Sequence, residues 1–184
     1  VKGIHIGDDA KKAKELGAQG IGLCRTEHMF FEPQRISAMQ QMILASSVKE
    51  RKNALNKLLP YQEADFYDIL KSMSPYPVNI RLIDPPLHEF LPKNNTQINN
   101  LANKIGMDKA KIKKAVSHLH ENNPMLGHRG CRLGVTYPEI TIMQTTAIFN
   151  ASKKLIKKGG SPKPEIMIPL VGTHKEFIHQ KQII

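Results

Sequence analysis

Arginines stand at three points of this sequence where short apolar, β-rich runs come to an end. Arg25 directly follows the run 20–24. Arg81 lies inside the run 77–84, where a period of two puts Asn79, Arg81 and Ile83 on one face. Arg129 and Arg132 bracket Gly130 and Cys131 after a turn at Gly127. In parallel α/β folds the working residues collect at the C-terminal ends of strands. An arginine buried in such a strand is costly unless it is paired or faces a wet site. Guanidinium groups match phosphate oxygens two at a time, so several converging on one mouth would form a cradle for a phosphate or oxyanion. Structural ion pairs with Glu27, Asp84 or Glu89 are the competing account of each arginine. Three arginines at successive strand ends favour an anionic ligand.

Other reactive side chains carry less. Cys24 with His28, and His128 with Cys131, are conceivable zinc pairs, but no C-x-x-C motif accompanies them. They read as core thiols and hydrogen-bonded histidines. The eight methionines fall on helical faces as core filler. Glu165 reads as a surface residue near the beginning of a strand, the wrong end for a magnesium ligand.

Such a cradle requires an alternation of strands and helices, and the chain reads that way. Strands are expected at 1–6, 20–24, 77–84 and 165–171, with a short one within 127–135. A helix capped by Asp8 or Asp9 should end at Gly17. The stretch 33–72 is helical, with Pro60 expected to break or kink it. Pro85 and Pro86 close the third strand. Residues 87–124 are polar and lysine-rich, with helical periodicity at 97–104 and 108–120, and read as a helical insertion. A helix at 138–158 begins with proline in its first turn, and a last element runs over 174–184. Five βα units fall short of an eight-unit barrel, which takes about 250 residues. The expectation is therefore a (β/α)8 TIM-type barrel cut off after about five units. An open doubly wound sheet is the alternative, but no G-x-G-x-x-G loop occurs.

Composition sets the broad class. With 184 residues, 40% hydrophobic and 23% charged, the chain has enough material for one core. No apolar run approaches the ~20 residues of a membrane-spanning helix, and the N-terminus lacks a secretory layout. Two cysteines point to reduced thiols and a cytoplasmic protein. The net charge of +11 comes mainly from lysines on expected helices, as a solvated surface would give. A nucleic-acid face would add clustered arginines and stacking aromatics, yet aromatics are only 5%.

Four blocks then become specific. They are Ile21-Gly-Leu-Cys-Arg-Thr-Glu-His-Met-Phe-Phe31, Arg81-Leu-Ile-Asp-Pro-Pro-Leu-His-Glu-Phe-Leu-Pro92, Asn123-Pro-Met-Leu-Gly-His-Arg-Gly-Cys-Arg-Leu-Gly-Val-Thr-Tyr-Pro-Glu-Ile140 and Pro164-Glu-Ile-Met-Ile-Pro-Leu-Val171. In this order they closely resemble the C-terminal domain of the pyruvate, phosphate dikinase family. Phosphoenolpyruvate synthase and the phosphotransferase-system enzyme I share that barrel but differ around Arg-Thr-Glu.

The resemblance implies a TIM-type barrel that binds phosphoenolpyruvate or pyruvate with Mg²⁺. It implies partners on a longer chain: a swivelling phosphohistidine domain and a nucleotide-binding domain that charges the histidine from ATP and phosphate. It also implies a homodimer, with no nucleic acid or membrane partner. By motif, Arg25 and Arg81 would hold the phosphoryl group, Arg129 would support it, and Arg132 and Asp84 would assist. Residues 1–184 would form the N-terminal part of the barrel domain, with 87–124 inserted in it. The family's magnesium ligands, its Asn-Asp motif and its proton-donating cysteine are expected beyond Ile184. Cys24 and Cys131 are not that cysteine, and His5 stands about where related enzymes have an asparagine. No catalytic residue is therefore expected here, nor dikinase activity from this chain alone.

Overall fold

The computed structural model describes residues 6–120, 123 and 125–184. Three parallel strands form its sheet in sequential order: β1 (Ile21–Arg25), β2 (Pro77–Arg81) and β3 (Lys163–Met167). Helix α1 (Gly7–Glu15) precedes β1, and α2 (Pro33–Ile43) and α3 (Val48–Met73) connect it to β2. Four helices lie between β2 and β3: α4 (Asn95–Ile105), α5 (Lys109–Leu119), α6 (Cys131–Thr136) and α7 (Pro138–Lys157). Helix α8 (His174–Ile183) follows β3.

Local chemistry accounts for most boundaries. Ser47 caps α3 by accepting from the Glu50 N–H at 3.2 Å, and Asn94 caps α4 from Gln97 at 2.9 Å. At α8, Thr173 and Glu176 satisfy each other's backbone N–H groups in a capping box. Gly17, expected to stop the first helix, lies just past it at φ +91°, a conformation that strains other residues.

The sheet is covered on one face. Ile21 and Cys24 of β1 and Val78 and Ile80 of β2 pack under Phe66, Ile69, Leu70 and Met73 of α3 and Ala147, Ile148, Ala151 and Leu155 of α7. On the opposite face Asn79, Arg81 and Met167 are half-buried and Glu165 is exposed. A second core joins Leu55 and Leu58 of α3 to Met39 and Met42 of α2, Ile83, Phe90, Leu133 and Met143. A small third one, around Ile98, Leu101, Ala102 and Ile112, holds α4 to α5.

The structure departs from the sequence reading at 127–135, at Pro60, at the end of β2 and at β3, which is Lys163–Met167 where a strand over 165–171 was expected. The first expected strand and His5 fall almost wholly outside the described residues. The strand expected within 127–135 is a turn followed by α6, so the described residues hold three of the four strands expected among them. There the N–H groups of Gly130 and Cys131 donate to the carbonyls of Asp84 and Pro169, at 3.0 and 2.8 Å. The segment thus lies across the exits of β2 and β3 and cannot pair between them. Pro60 does not interrupt α3, which runs unbroken through it on the solvent side. β2 ends at Arg81, well before Pro85, because the Ile83 N–H turns to the Gln144 side chain at 2.8 Å. Ile83 is consequently buried in the second core and shares no face with Asn79 and Arg81.

Two outcomes follow from this packing. Phe66→Ala, at a fully buried site between α3 and the sheet, should cost about 3–5 kcal/mol in chemical denaturation. Burial, reinforced by the negative charge of Glu27, pushes the Cys24 thiol up to about 12. Burial also raises Cys131. A disulfide-exchange reagent at pH 8 should therefore label neither thiol in the native protein and both after denaturation, since the thiolate is the reactive form.

Candidate functional site

The C-terminal end of the sheet is where polar side chains meet. Arg25 and Arg81 are the last residues of their strands and stand opposite one another in register. Arg81 in turn aligns with Met167, the last residue of β3. Arg25 is exposed, and among the described residues it forms no ion pair. Arg81 is largely buried and held from two sides. Its Nη2 donates to Glu27 Oε1 at 2.6 Å, and its Nη1 lies 3.0 Å from Asp84 Oδ2.

Asp84 links the next arginine to the group. Arg129 Nη2 donates to the same Asp84 Oδ2 at 2.9 Å, and Arg129 Nε donates to the Asp84 carbonyl at 3.3 Å. The loop reaches this position because Gly130 adopts φ +58° and its N–H meets that carbonyl too. A Cβ on Gly130 would come within 3.0 Å of Pro169 O and Leu170 Cβ, so only glycine fits there. The structure thus joins Arg81, Arg129 and Asp84 directly, with Arg25 one strand away. Arg132 does not bond to them: its Nη1 donates to the Gly127 carbonyl at 2.8 Å and ties down the loop carrying Arg129.

Three guanidinium groups outnumber two carboxylates at this end, which leaves it positive. Glu27 Oε2, Arg81 Nε and Asp84 Oδ1 are buried without a hydrogen-bond partner among the described residues. Arg81 Nε is a donor of the sort that a bound oxyanion satisfies. Both carboxylates are already engaged by arginine, and no group of three or more His, Cys, Asp or Glu side chains gathers among the described residues. Glu176, at the start of α8, sits below the usual carboxylate range, chiefly because the Gly172 N–H donates to it.

The sequence reading passed over a second, buried set of groups. Gln144 of α7 accepts from the Ile83 N–H and donates to Thr26 Oγ1 at 3.1 Å and Gln62 Oε1 at 3.2 Å. Thr26, next to Arg25, donates from Oγ1 to the Arg81 carbonyl at 3.0 Å. The signal in the sequence was a glutamine at a core position of an amphipathic helix: Gln144 falls between Ile140 and Ile148, and Gln62 between Leu58 and Phe66.

The sequence matches the family described as PEP-utilising enzyme, PEP-binding domain, over residues 1–184. It is 52% identical over 174 residues to the pyruvate, phosphate dikinase of Rhizobium meliloti, covering 94% of this chain and 19% of that protein. To the chloroplastic pyruvate, phosphate dikinase of Flaveria trinervia it is 52% identical over 180 residues, 96% of this chain and 19% of the relative. The pyruvate, phosphate dikinase of Clostridium symbiosum is 49% identical over 178 residues, 96% of this chain and 20% of the relative. The chain thus spans only 19–20% of the length of these relatives. A match across every residue, with about half of them identical in bacterial and plant relatives alike, is decisive: the chain belongs to the PEP-utilising enzyme family, in its PEP-binding domain.

Proposed function

We propose that this chain supplies part of the phosphoenolpyruvate and pyruvate site of a pyruvate, phosphate dikinase. Such an enzyme interconverts ATP, phosphate and pyruvate with AMP, diphosphate and phosphoenolpyruvate. The observation that carries the reading is the strand-end cluster, in which Asp84 holds Arg81 and Arg129 together while Arg25 lies in register beside Arg81. Arg25, Arg81 and Arg129 would receive the phosphoryl group, with Asp84 aligning two of them and Arg132 fixing the loop. Phosphoryl transfer asks a protein chiefly for positioning and charge neutralisation, and fixed guanidinium groups provide both.

The fold reading joins this proposal. Three parallel strands in sequential order, with their packed helices on one face and polar residues on the other, suit an arc of a TIM-type barrel better than a doubly wound sheet. Within that arc, 87–124 would be an insertion built on α4 and α5. The rest of the barrel, the phosphohistidine domain and the nucleotide-binding domain would come from other parts of a longer chain, working as a homodimer in the cytoplasm. Mg²⁺ does not fit the residues at this end, because Glu27 and Asp84 are committed to arginine. Its ligands in the enzyme would come from elsewhere, and this chain alone would have no dikinase activity.

Two expected outcomes test the reading. Phosphoenolpyruvate titrated into the protein should shift backbone amides around residues 25, 81 and 129 to saturation, more weakly as salt is added. Arg25→Gln should weaken that binding at least tenfold with the melting temperature unchanged, because its side chain is exposed and unpaired among the described residues. Arg81→Ala should abolish binding and also cost about 1–3 kcal/mol of stability, because it strips partners from two carboxylates. Amides indifferent to phosphoenolpyruvate at millimolar concentration would overturn the assignment.

A further inference from the structure

We propose that Gln144 is a positioning residue for the strand-end arginines, and that its side-chain amide sets the spacing of β1 and β2 where the anion would bind. The inference rests on the anion-site reading above but is carried by different atoms. Gln144 is fully buried and lies on α7, far in sequence from both strands it serves.

Its orientation leaves no freedom. The Ile83 backbone N–H can only donate, so the atom facing it at 2.8 Å must be the amide oxygen. The amide nitrogen then faces Thr26 Oγ1 and Gln62 Oε1, and donates one hydrogen to each. Because Thr26 Oγ1 already accepts from Gln144, its own proton is free for the Arg81 carbonyl at 3.0 Å, a group that can only accept. Every hydrogen of the set has one placement. The amide therefore holds the Ile83 N–H directly and, through the Thr26 hydroxyl, links the residue after Arg25 to the carbonyl of Arg81. The β1–β2 ladder is irregular between Ile21 and Cys24 and is back in register only over its last two pairs, Cys24 with Ile80 and Arg25 with Arg81, so little regular backbone pairing precedes this exit. The side-chain amide ties both strand ends to α7 at the point where Arg25 and Arg81 leave the sheet.

Gln144→Met, close in shape but without polar atoms, tests this, alongside Thr26→Val, which removes the hydroxyl that accepts from Gln144 and donates to the Arg81 carbonyl. Thr141→Val is the control. It deletes a buried hydroxyl one turn away on the same helix, where its partner is Gln180 at 2.9 Å and not a strand end. Phosphoenolpyruvate affinity, measured by calorimetry, should fall at least tenfold in Gln144→Met and Thr26→Val and stay within twofold in Thr141→Val. Equal losses in all three variants, or none in the first two, would overturn the proposal. The Arg81 Nε–H resonance and the exchange rate of the Ile83 amide give a reading that needs no ligand. Both should change in Gln144→Met and Thr26→Val and not in Thr141→Val, and unchanged signals in the first two would also overturn the proposal. If the parent protein ignores phosphoenolpyruvate, the anion-site reading falls and the resonances alone decide on Gln144. Should Gln144→Met fail to fold, Thr26→Val decides by the same two outcomes.

Discussion

Asp84 offers one side-chain oxygen to two guanidinium groups, and the arrangement of the whole sheet end follows from that sharing. Two arginines brought this close repel each other, and a carboxylate between them turns the repulsion into a bridge. The same residue accepts the Gly130 N–H and Arg129 Nε at its carbonyl. Side chain and backbone of Asp84 therefore recruit the 125–130 turn to the strand ends. With that turn in place, α6 starts where it does and α7 is delivered to the covered face of the sheet. A residue that looks in the sequence like the end of a strand is the point on which the turn, α6 and α7 are hung.

An exposed arginine beside a charge-balanced buried quartet distinguishes this cluster from a structural salt-bridge network. The Arg35–Asp65 pair between α2 and α3 is joined through two nitrogens, and Glu32 adds a second carboxylate 3.1 Å from Arg35 Nε. Arg51 likewise has Glu139 at 2.6 Å and the Tyr137 ring at 4.1 Å. Neither group carries excess positive charge. The strand-end group does, through the exposed Arg25 in register beside the paired Arg81. A core selected for stability alone does not favour such a combination, whereas a site that meets an anion does.

Much of this was legible in the sequence because its signals are local. Pro33 and Pro138 mark helix starts, Gly17 marks a helix end, and the periodicity at 97–104 and 108–120 reports α4 and α5. The strand-end position of Arg25 follows from the apolar run before it, whereas Arg81 was expected inside a strand longer than β2. Non-local signals did not show. The segment 127–135 has strand-like composition but is captured as a turn and helix by carbonyls more than 35 residues away on both sides. The alternation that placed Ile83 with Arg81 failed because a side chain on α7 took the place of a neighbouring strand. Pro60 is a helix breaker by type, but its exposed position inside α3 leaves the freed carbonyl next to solvent. Gln62, Thr26 and Gln144 come from three distant segments, and their meeting is a property of the fold.

Helix α3 has 26 residues, roughly 39 Å of rod. Its N-terminal half supplies Ala54, Leu55 and Leu58 to one core, and its C-terminal half supplies Phe66, Ile69, Leu70 and Met73 to the other. A strut shared in this way couples the two cores, because neither can lose its packing while α3 stays docked in the other. The α4–α5 pair has its own apolar centre of four buried residues and lies outside that coupling. The molecule is thus built as one large cooperative unit with a smaller one attached to it, and the smaller one carries none of the groups that anchor the ends of β1 and β2.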